Sequence, residues 1–404
     1  MSRATGEMSR RARRSQPRLG RRWCLPPAIL RETDETLEGS HILNEHREDL
    51  AGALWTAFRD VTLWTSVPPE KREGLFSENA FDKRMDLLRA CRAESELEVH
   101  LIVLACVVDR PASMDPASVS AVCMSVSRWA EKRHAMGTAI SFAQAAALAV
   151  PEDAGTAREV GRLALRWGRL PRSETWLRRA IGLARRAKDW GAYSESYVDL
   201  GALYRQRQQP ERSHAYFVAA ARAARRHGQL PVRGAALHGL FLLSMDSGDY
   251  EEAARYSRAA LRAYGRGHSR LPGLLHDIAQ LWIATGSYAR AIPMLQRLLP
   301  ERRAPADRAL TLALLAHAAA ATGERRLYEE GWSKAWALLD HAGTDERIVR
   351  TLLELARAAA ALKDWLRVSL ASTRQAEQAA SARDGRLADE VARLAAVAAG
   401  AARP

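Results

Sequence analysis

Gly248-Asp249-Tyr250-Glu251-Glu252-Ala253-Ala254 joins two stretches whose apolar residues recur at helical spacing. Glycine closes a helix readily in the left-handed conformation. The two glutamates fall in the first turn of the following helix, where negative charge complements the helix dipole. From about residue 115 onward the arrangement repeats: an apolar helix, a short turn often holding glycine, a second helix opening on acidic or small residues, then a break. The turns fall at His134, Gly168, Gln208, Gly248, Gly286, Gly323 and Lys363, and their successive differences are 34, 40, 40, 38, 37 and 40 by subtraction. A period between about 20 and 50 residues marks stacked supersecondary units, each burying its apolar face against its neighbours. The fold class that follows is all-α, a solenoid of about seven helical hairpins.

The composition agrees. Alanine and leucine fill the apolar positions of a chain that is 47% hydrophobic but only 6% aromatic. Such side chains lose little rotamer freedom in a helix. The formal charge is +14, carried almost wholly by arginine, since lysine occurs only at Lys71, Lys83, Lys132, Lys188, Lys334 and Lys363. An arginine and alanine bias of this kind also arises in GC-rich bacterial genomes without selection for nucleic acid. The charge by itself therefore points to acidic peptides or phosphates only weakly.

The units resemble the tetratricopeptide repeat. The fullest match is Tyr197-Val198-Asp199-Leu200-Gly201-Ala202-Leu203-Tyr204 followed by Ser213, Phe217 and Ala220. It is similar to the pattern W-x-x-L-G-x-x-Y…A…F…A, with tyrosine in the tryptophan place and Ser213 for the first alanine. Gly286-Ser287-Tyr288-Ala289-Arg290-Ala291 repeats the turn, and Ala139, Ala146 and Pro151 stand at the family's Ala, Ala and Pro positions. Three features depart from the pattern: most periods exceed 34, Lys363-Asp364-Trp365 replaces the usual glycine and tyrosine, and Phe241 stands where a small residue is expected, with Gly239 nearby.

The resemblance implies a right-handed α-solenoid and a non-enzymatic scaffold that binds a protein or peptide segment, without cofactor. It also implies that the first helix of each hairpin lines a concave groove. Mapped onto this chain, the inward positions are Arg158, Arg162, Arg166, Arg205, Gln206, His238, His276, Gln280, His317 and Arg357. Arg158, Arg162 and Arg166 are four apart and so share one helical face. Like charges so placed repel unless an anion answers them. That anion is either an acidic partner or a neighbouring carboxylate such as Glu159 or Asp199, which would leave a solvated ion-pair network. The family's carboxylate clamp does not carry over, because Arg162 and Asp199 occupy two asparagine positions and Ala235 a lysine position.

Four divisions are expected: an Arg-rich disordered tail (1–22), an N-terminal helical region (23–112), the repeat array (115–384), and a capping helix with its tail (385–404). The tail has eight arginines and one acid, Glu7, too little apolar surface to offset its ordering entropy. In the helical region, Leu50, Leu54, Phe58 and Val61 predict a helix over Glu48–Trp64, stopped by Pro68-Pro69. Ala80–Arg92 and Ser95–Val108 predict a helix pair. Leu387–Ala398 has the alanine- and leucine-rich character of a cap.

No catalytic constellation or metal set emerges. His41-Ile42-Leu43-Asn44-Glu45-His46 invites comparison with H-E-x-x-H, but its histidines are five apart rather than four. There is no phosphate-binding loop and no G-x-S-x-G elbow. Cys24, Cys91, Cys106 and Cys123 form no C-x-x-C pair and read as small buried hydrophobes in a reducing compartment. The longest apolar run, Leu101–Val108, is too short to span a membrane. Arg21-Arg22-Trp23-Cys24-Leu25 lacks the apolar segment of an export signal, so the cytoplasm is expected. The alternative function is a peptide-sensing or nucleic-acid-associated bacterial regulator. No helix-turn-helix is evident in residues 23–110.

Overall fold

The computed structural model describes residues 39–91, 93–341 and 346–379, together with Arg393 and Ala396. The expected Arg-rich tail and, those two positions apart, the expected capping helix lie outside them. The described residues form eighteen α-helices and no strand. The first four are α1 (His41–Glu45), α2 (Glu48–Ser66), α3 (Ala80–Cys91) and α4 (Ser95–Asp109). Seven hairpins follow: α5/α6 (Pro116–Lys132, Met136–Ala149), α7/α8 (Ala154–Arg166, Leu170–Ala187), α9/α10 (Trp190–Gln206, Pro210–Arg226) and α11/α12 (Leu230–Ser247, Tyr250–Tyr264), then α13/α14 (Leu271–Ala284, Tyr288–Leu298), α15/α16 (Pro305–Thr322, Arg325–Leu338) and α17/α18 (Glu346–Ala361, Trp365–Ala379). The chain divides into two compact units within α11, the first ending at Gly239 and the second starting at Leu240.

All seven turn positions read from the period are left-handed. His134, Gly168, Gln208, Gly248, Gly286, Gly323 and Lys363 have φ between 56 and 79°. At each, the amide of the next residue reaches back five positions to a carbonyl of the first helix. Arg169 N–Ala164 O is 2.8 Å, Gln209 N–Tyr204 O 2.9 Å and Asp364 N–Ala359 O 3.0 Å. This bond satisfies a carbonyl that the helix end would otherwise leave open. The next helix then starts at once. Asp249 accepts from Glu252 N at 2.9 Å and Asp364 from Arg367 N at 3.2 Å, each capping the second helix of its hairpin. Repeat length therefore varies in helix length and in the links between hairpins, while the turn itself stays constant. These features make the chain a tetratricopeptide-like array of helical hairpins.

Within the first unit, small residues set how closely the helices pack. A Cβ at Gly201 would lie 2.6 Å from the Phe217 ring, and one at Gly239 would lie 2.2 Å from it. Phe217 is thus held between α9 and α11 where neither helix has a side chain. Gly239, not the Phe241 position, does the work of the family's small residue here. Gly161 repeats the arrangement one hairpin earlier, facing Leu177. Ser213 replaces an alanine at no loss, because its hydroxyl donates to Gly201 O at 2.8 Å. In the second unit Gly331 packs on Ala316, and Trp332, Ala335, Leu352 and Leu355 join one buried cluster.

The N-terminal helices belong to the same core as the first hairpins, through Leu54, Phe58, Leu97, Leu104, Trp129 and Phe142. The segment His41–His46 is the hook that fastens them. Glu45 accepts from Gly137 N, Thr138 N and Thr138 Oγ1, each at 2.7 Å, and so caps α6, whose own N-cap residue is Ala135. His41 meets Trp167 edge-on, and His46 stacks on Trp129 and lies 2.9 Å from Thr138 Oγ1. The spacing that missed the zinc-helix pattern serves helix docking. Burial lowers the pKa of His46; Glu45 opposes that shift and Arg133 adds to it.

Two outcomes follow. Gln208→Gly and Lys363→Gly should each stabilise the chain by about 0.5–1 kcal/mol, and Gly248→Ala should destabilise it by about 1 kcal/mol, in thermal melts. Because His46 is depressed when folded, its neutral form carries the stability. That stability is complete above its ordinary value of 6.5 and declines as pH falls below it. A melt series from pH 7.5 to 5.5 should therefore show a loss that is smaller in His46→Gln.

Candidate functional site

The ten polar positions expected along the first helices divide between the two units. In the first, Arg158, Arg162 and Arg166 follow one face of α7, Arg205 and Gln206 end α9, and His238 lies on α11. Arg158 Nε donates to Asp199 Oδ2 at 2.7 Å and its Nη1 to Glu195 Oε2 at 2.5 Å, both on α9. Arg162 Nη2 bonds Glu159 at 2.7 Å and Glu131 of α5 at 2.9 Å. Arg166 pairs with the same Glu131. The arginine row is thus interleaved with four carboxylates from three successive first helices. Burial would push the Glu159 carboxyl up, but Arg162 and Arg158 hold it below the usual carboxylate range. The Arg162 guanidinium is raised chiefly by its bond to Glu159.

Of the two readings of that row, the geometry realises the internal one. Glu159 and Asp199 do answer the arginines, joined by Glu131 and Glu195. The ion pairs link residues about one repeat apart: Arg158–Asp199 by 41 positions, Arg162–Glu131 by 31 and Arg166–Glu131 by 35. Arg166, at 49% side-chain exposure, has the most open head of the three. Gln206 is exposed, and Arg205 and His238 are half-buried.

In the second unit, His276 and Gln280 share one face of α13, with Nδ1 and Nε2 3.1 Å apart. His276 is buried, and its Nε2 has no hydrogen-bond partner among the described residues. His317 of α15 lies 2.7 Å from Glu354 of α17, and Arg357 bonds the other oxygen of that carboxylate at 2.6 Å. Burial would raise the Glu354 carboxyl; the His317 and Arg357 contacts outweigh it and lower it. Glu354 was not picked out in the sequence, and neither were Glu131 and Glu195. Each stands about one period from its cation, so pairing charges at that separation would have found them.

Sequence reading also passed over a cleft on the other side of α9. It is an open cavity of about 70 Å³, lined by Arg178, Gly182 and Arg185 of α8 and by Tyr197, Leu200 and Tyr216 of α9 and α10. Among the described residues no group of His, Cys, Asp and Glu is placed to hold a metal ion. No helix there is long and apolar enough to cross a membrane. Cys91 and Cys123 are buried, and burial pushes the Cys123 thiol up.

No protein-family model matches the chain, and no curated protein does. Among solved structures, a Rap protein complexed with competence and sporulation factor is similar at 13% identity and a TM-score of 0.49, over 85% of this chain and 99% of that one. The Cut9–Hcn1 assembly of the APC/C is similar at 15% identity and a TM-score of 0.46, over 86% and 62%. BtubC from P. vanneervenii is similar at 18% identity and a TM-score of 0.41, over 55% and 89%.

A double-mutant cycle of Arg158→Ala and Asp199→Ala should return a coupling of about 1–2 kcal/mol in denaturant melts, because both side chains are largely enclosed.

Proposed function

We propose that the chain is a non-enzymatic scaffold that binds a protein or peptide segment along the first helices of its hairpins. One observation carries this reading: those helices spend one face on packing and present a recurring series of polar side chains on another. Arg166 and Gln206 are its exposed members, and Arg158, Arg162, Arg205, His238, Gln280, His317 and Arg357 are half-buried. Arg158 and Arg162 in the first unit, and His317 and Arg357 in the second, hold their own helices in shape through their carboxylates. His276 is buried.

The partner is acidic on this reading, and the support is the excess cation rather than the α7 row. Arg185, Lys188, Arg222, Arg225 and Arg226 are exposed in the first unit, while the chain as a whole carries +14. Long-range attraction from such a charge speeds encounter with anionic segments. Residues 115–384 form the binding array and residues 23–112 its N-terminal support.

A photo-cross-linking residue placed at Gln206, on a first helix, should capture a discrete protein from extracts of the source cell. The same residue at Arg226, at the end of a second helix, should not. Equal capture at both positions, or none at Gln206, would remove the first-helix surface from the account.

A further inference from the structure

The cleft beside α9 has the features of a second recognition site, formed by the second helices α8 and α10 together with the inner face of α9. Gly182 lies in the interior of α8, where glycine weakens a helix because it has more backbone freedom to lose than alanine. Nothing in the fold demands it, since a Cβ there would meet no atom within 4 Å. Gly161 and Gly201 differ, because their missing side chains are filled by Leu177 and Phe217. The gap at Gly182 opens instead onto the floor made by Tyr197, Leu200 and Tyr216.

That floor is apolar in body and polar at its edge. Tyr197 and Tyr216 are 3% and 4% exposed, with ring centroids 6.0 Å apart. Tyr193 adds a third ring, 4.9 Å from Tyr197. The Tyr216 hydroxyl makes no hydrogen bond to a described residue, whereas those of Tyr197 and Tyr204 are engaged by Tyr193 and Glu174. The rim is cationic, and no carboxylate lines the cavity. Arg178 is committed to Glu174 and the Tyr204 hydroxyl. Arg185, about two turns further along the same face, is exposed and has no ion pair among the described residues.

We infer that this cleft takes one phenylalanine side chain of an acidic peptide segment, with the ring over Tyr197 and Tyr216 at Gly182 and a flanking carboxylate against Arg185. An aromatic guest continues the offset and tilted ring contacts already present. A guanidinium with no partner pairs with a carboxylate in a fixed bidentate geometry. A cavity of about 70 Å³ is far smaller than the small-ligand sites of about 300–1,000 Å³, and so suits a single side chain rather than a whole ligand or a folded surface. The inference rests on the chain being a peptide-binding scaffold. It does not require the first-helix surface to be occupied.

The test is fluorescence anisotropy of the full chain with a fluorescein-labelled nonapeptide of aspartates and glutamates around one central phenylalanine. Saturable binding is expected, weakened about tenfold or more by Gly182→Leu, which fills the gap, and by replacing the peptide's phenylalanine with alanine. Arg185→Glu should weaken it similarly and Arg185→Lys less. Gly182→Ala should melt at the same temperature as the parent or higher, which separates occlusion from misfolding. Equal affinity for Gly182→Leu, equal affinity of the alanine peptide, or no saturable binding would each overturn the inference. Cross-linking at Gln206 reads a different surface, so the two claims fail separately.

Discussion

Each hairpin depends on a single left-handed residue that ends the first helix and lets the next amide reach back five positions. This constraint is local and recurs seven times. It places the second helix against the first whatever the helix lengths, so repeats longer than 34 residues remain compatible with one architecture. Gly168, Gly248, Gly286 and Gly323 adopt the conformation without a Cβ penalty. His134, Gln208 and Lys363 adopt it with side chains, and the packing of their helices must hold them there.

Fixing the turns brings small residues opposite large ones. Phe217 can sit between Gly201 and Gly239 only because the hairpins present those positions to it. The same stacking aligns first helices of successive repeats, and charges one period apart become neighbours. Arg158 finds Asp199 and Glu195 on the next first helix, and Arg162 finds Glu131 on the preceding one. A row of like charges that would destabilise an isolated helix becomes an interleaved network in the stack.

Much of the fold was legible in the sequence because its signals are local. Helical spacing, turn residues and first-turn acids lie within a few positions of one another, and the period then joins them. The helices expected at Glu48–Trp64 and Ser95–Val108 differ from those observed by one or two residues at their ends, and the one expected from Ala80 is observed over Ala80–Cys91, Arg92 lying outside the described residues. The polar face of the first helices was less legible because its ion-pair partners are distant in sequence. Glu131, Glu195 and Glu354 carry no local mark, and they acquire meaning only when repeats are stacked. Glu45 capping α6 across 92 positions is the extreme case, since the sequence around it suggested a failed metal motif rather than a helix cap. The cleft at Gly182 was missed for the opposite reason: its defining feature is an absent side chain.

The most direct measurement of the seven-turn architecture is hydrogen–deuterium exchange of the free chain, resolved by overlapping peptides. Short fast-exchanging segments should begin just after Gly168, Gln208, Gly248, Gly286, Gly323 and Lys363, where opening amides of each second helix lack intrahelical acceptors, while the segment after His134 should be slower because Glu45 holds Gly137 N and Thr138 N. Slow exchange should fill the helices between them. Protection running unbroken through those positions, or fast segments spaced without regard to them, would contradict the hairpin array.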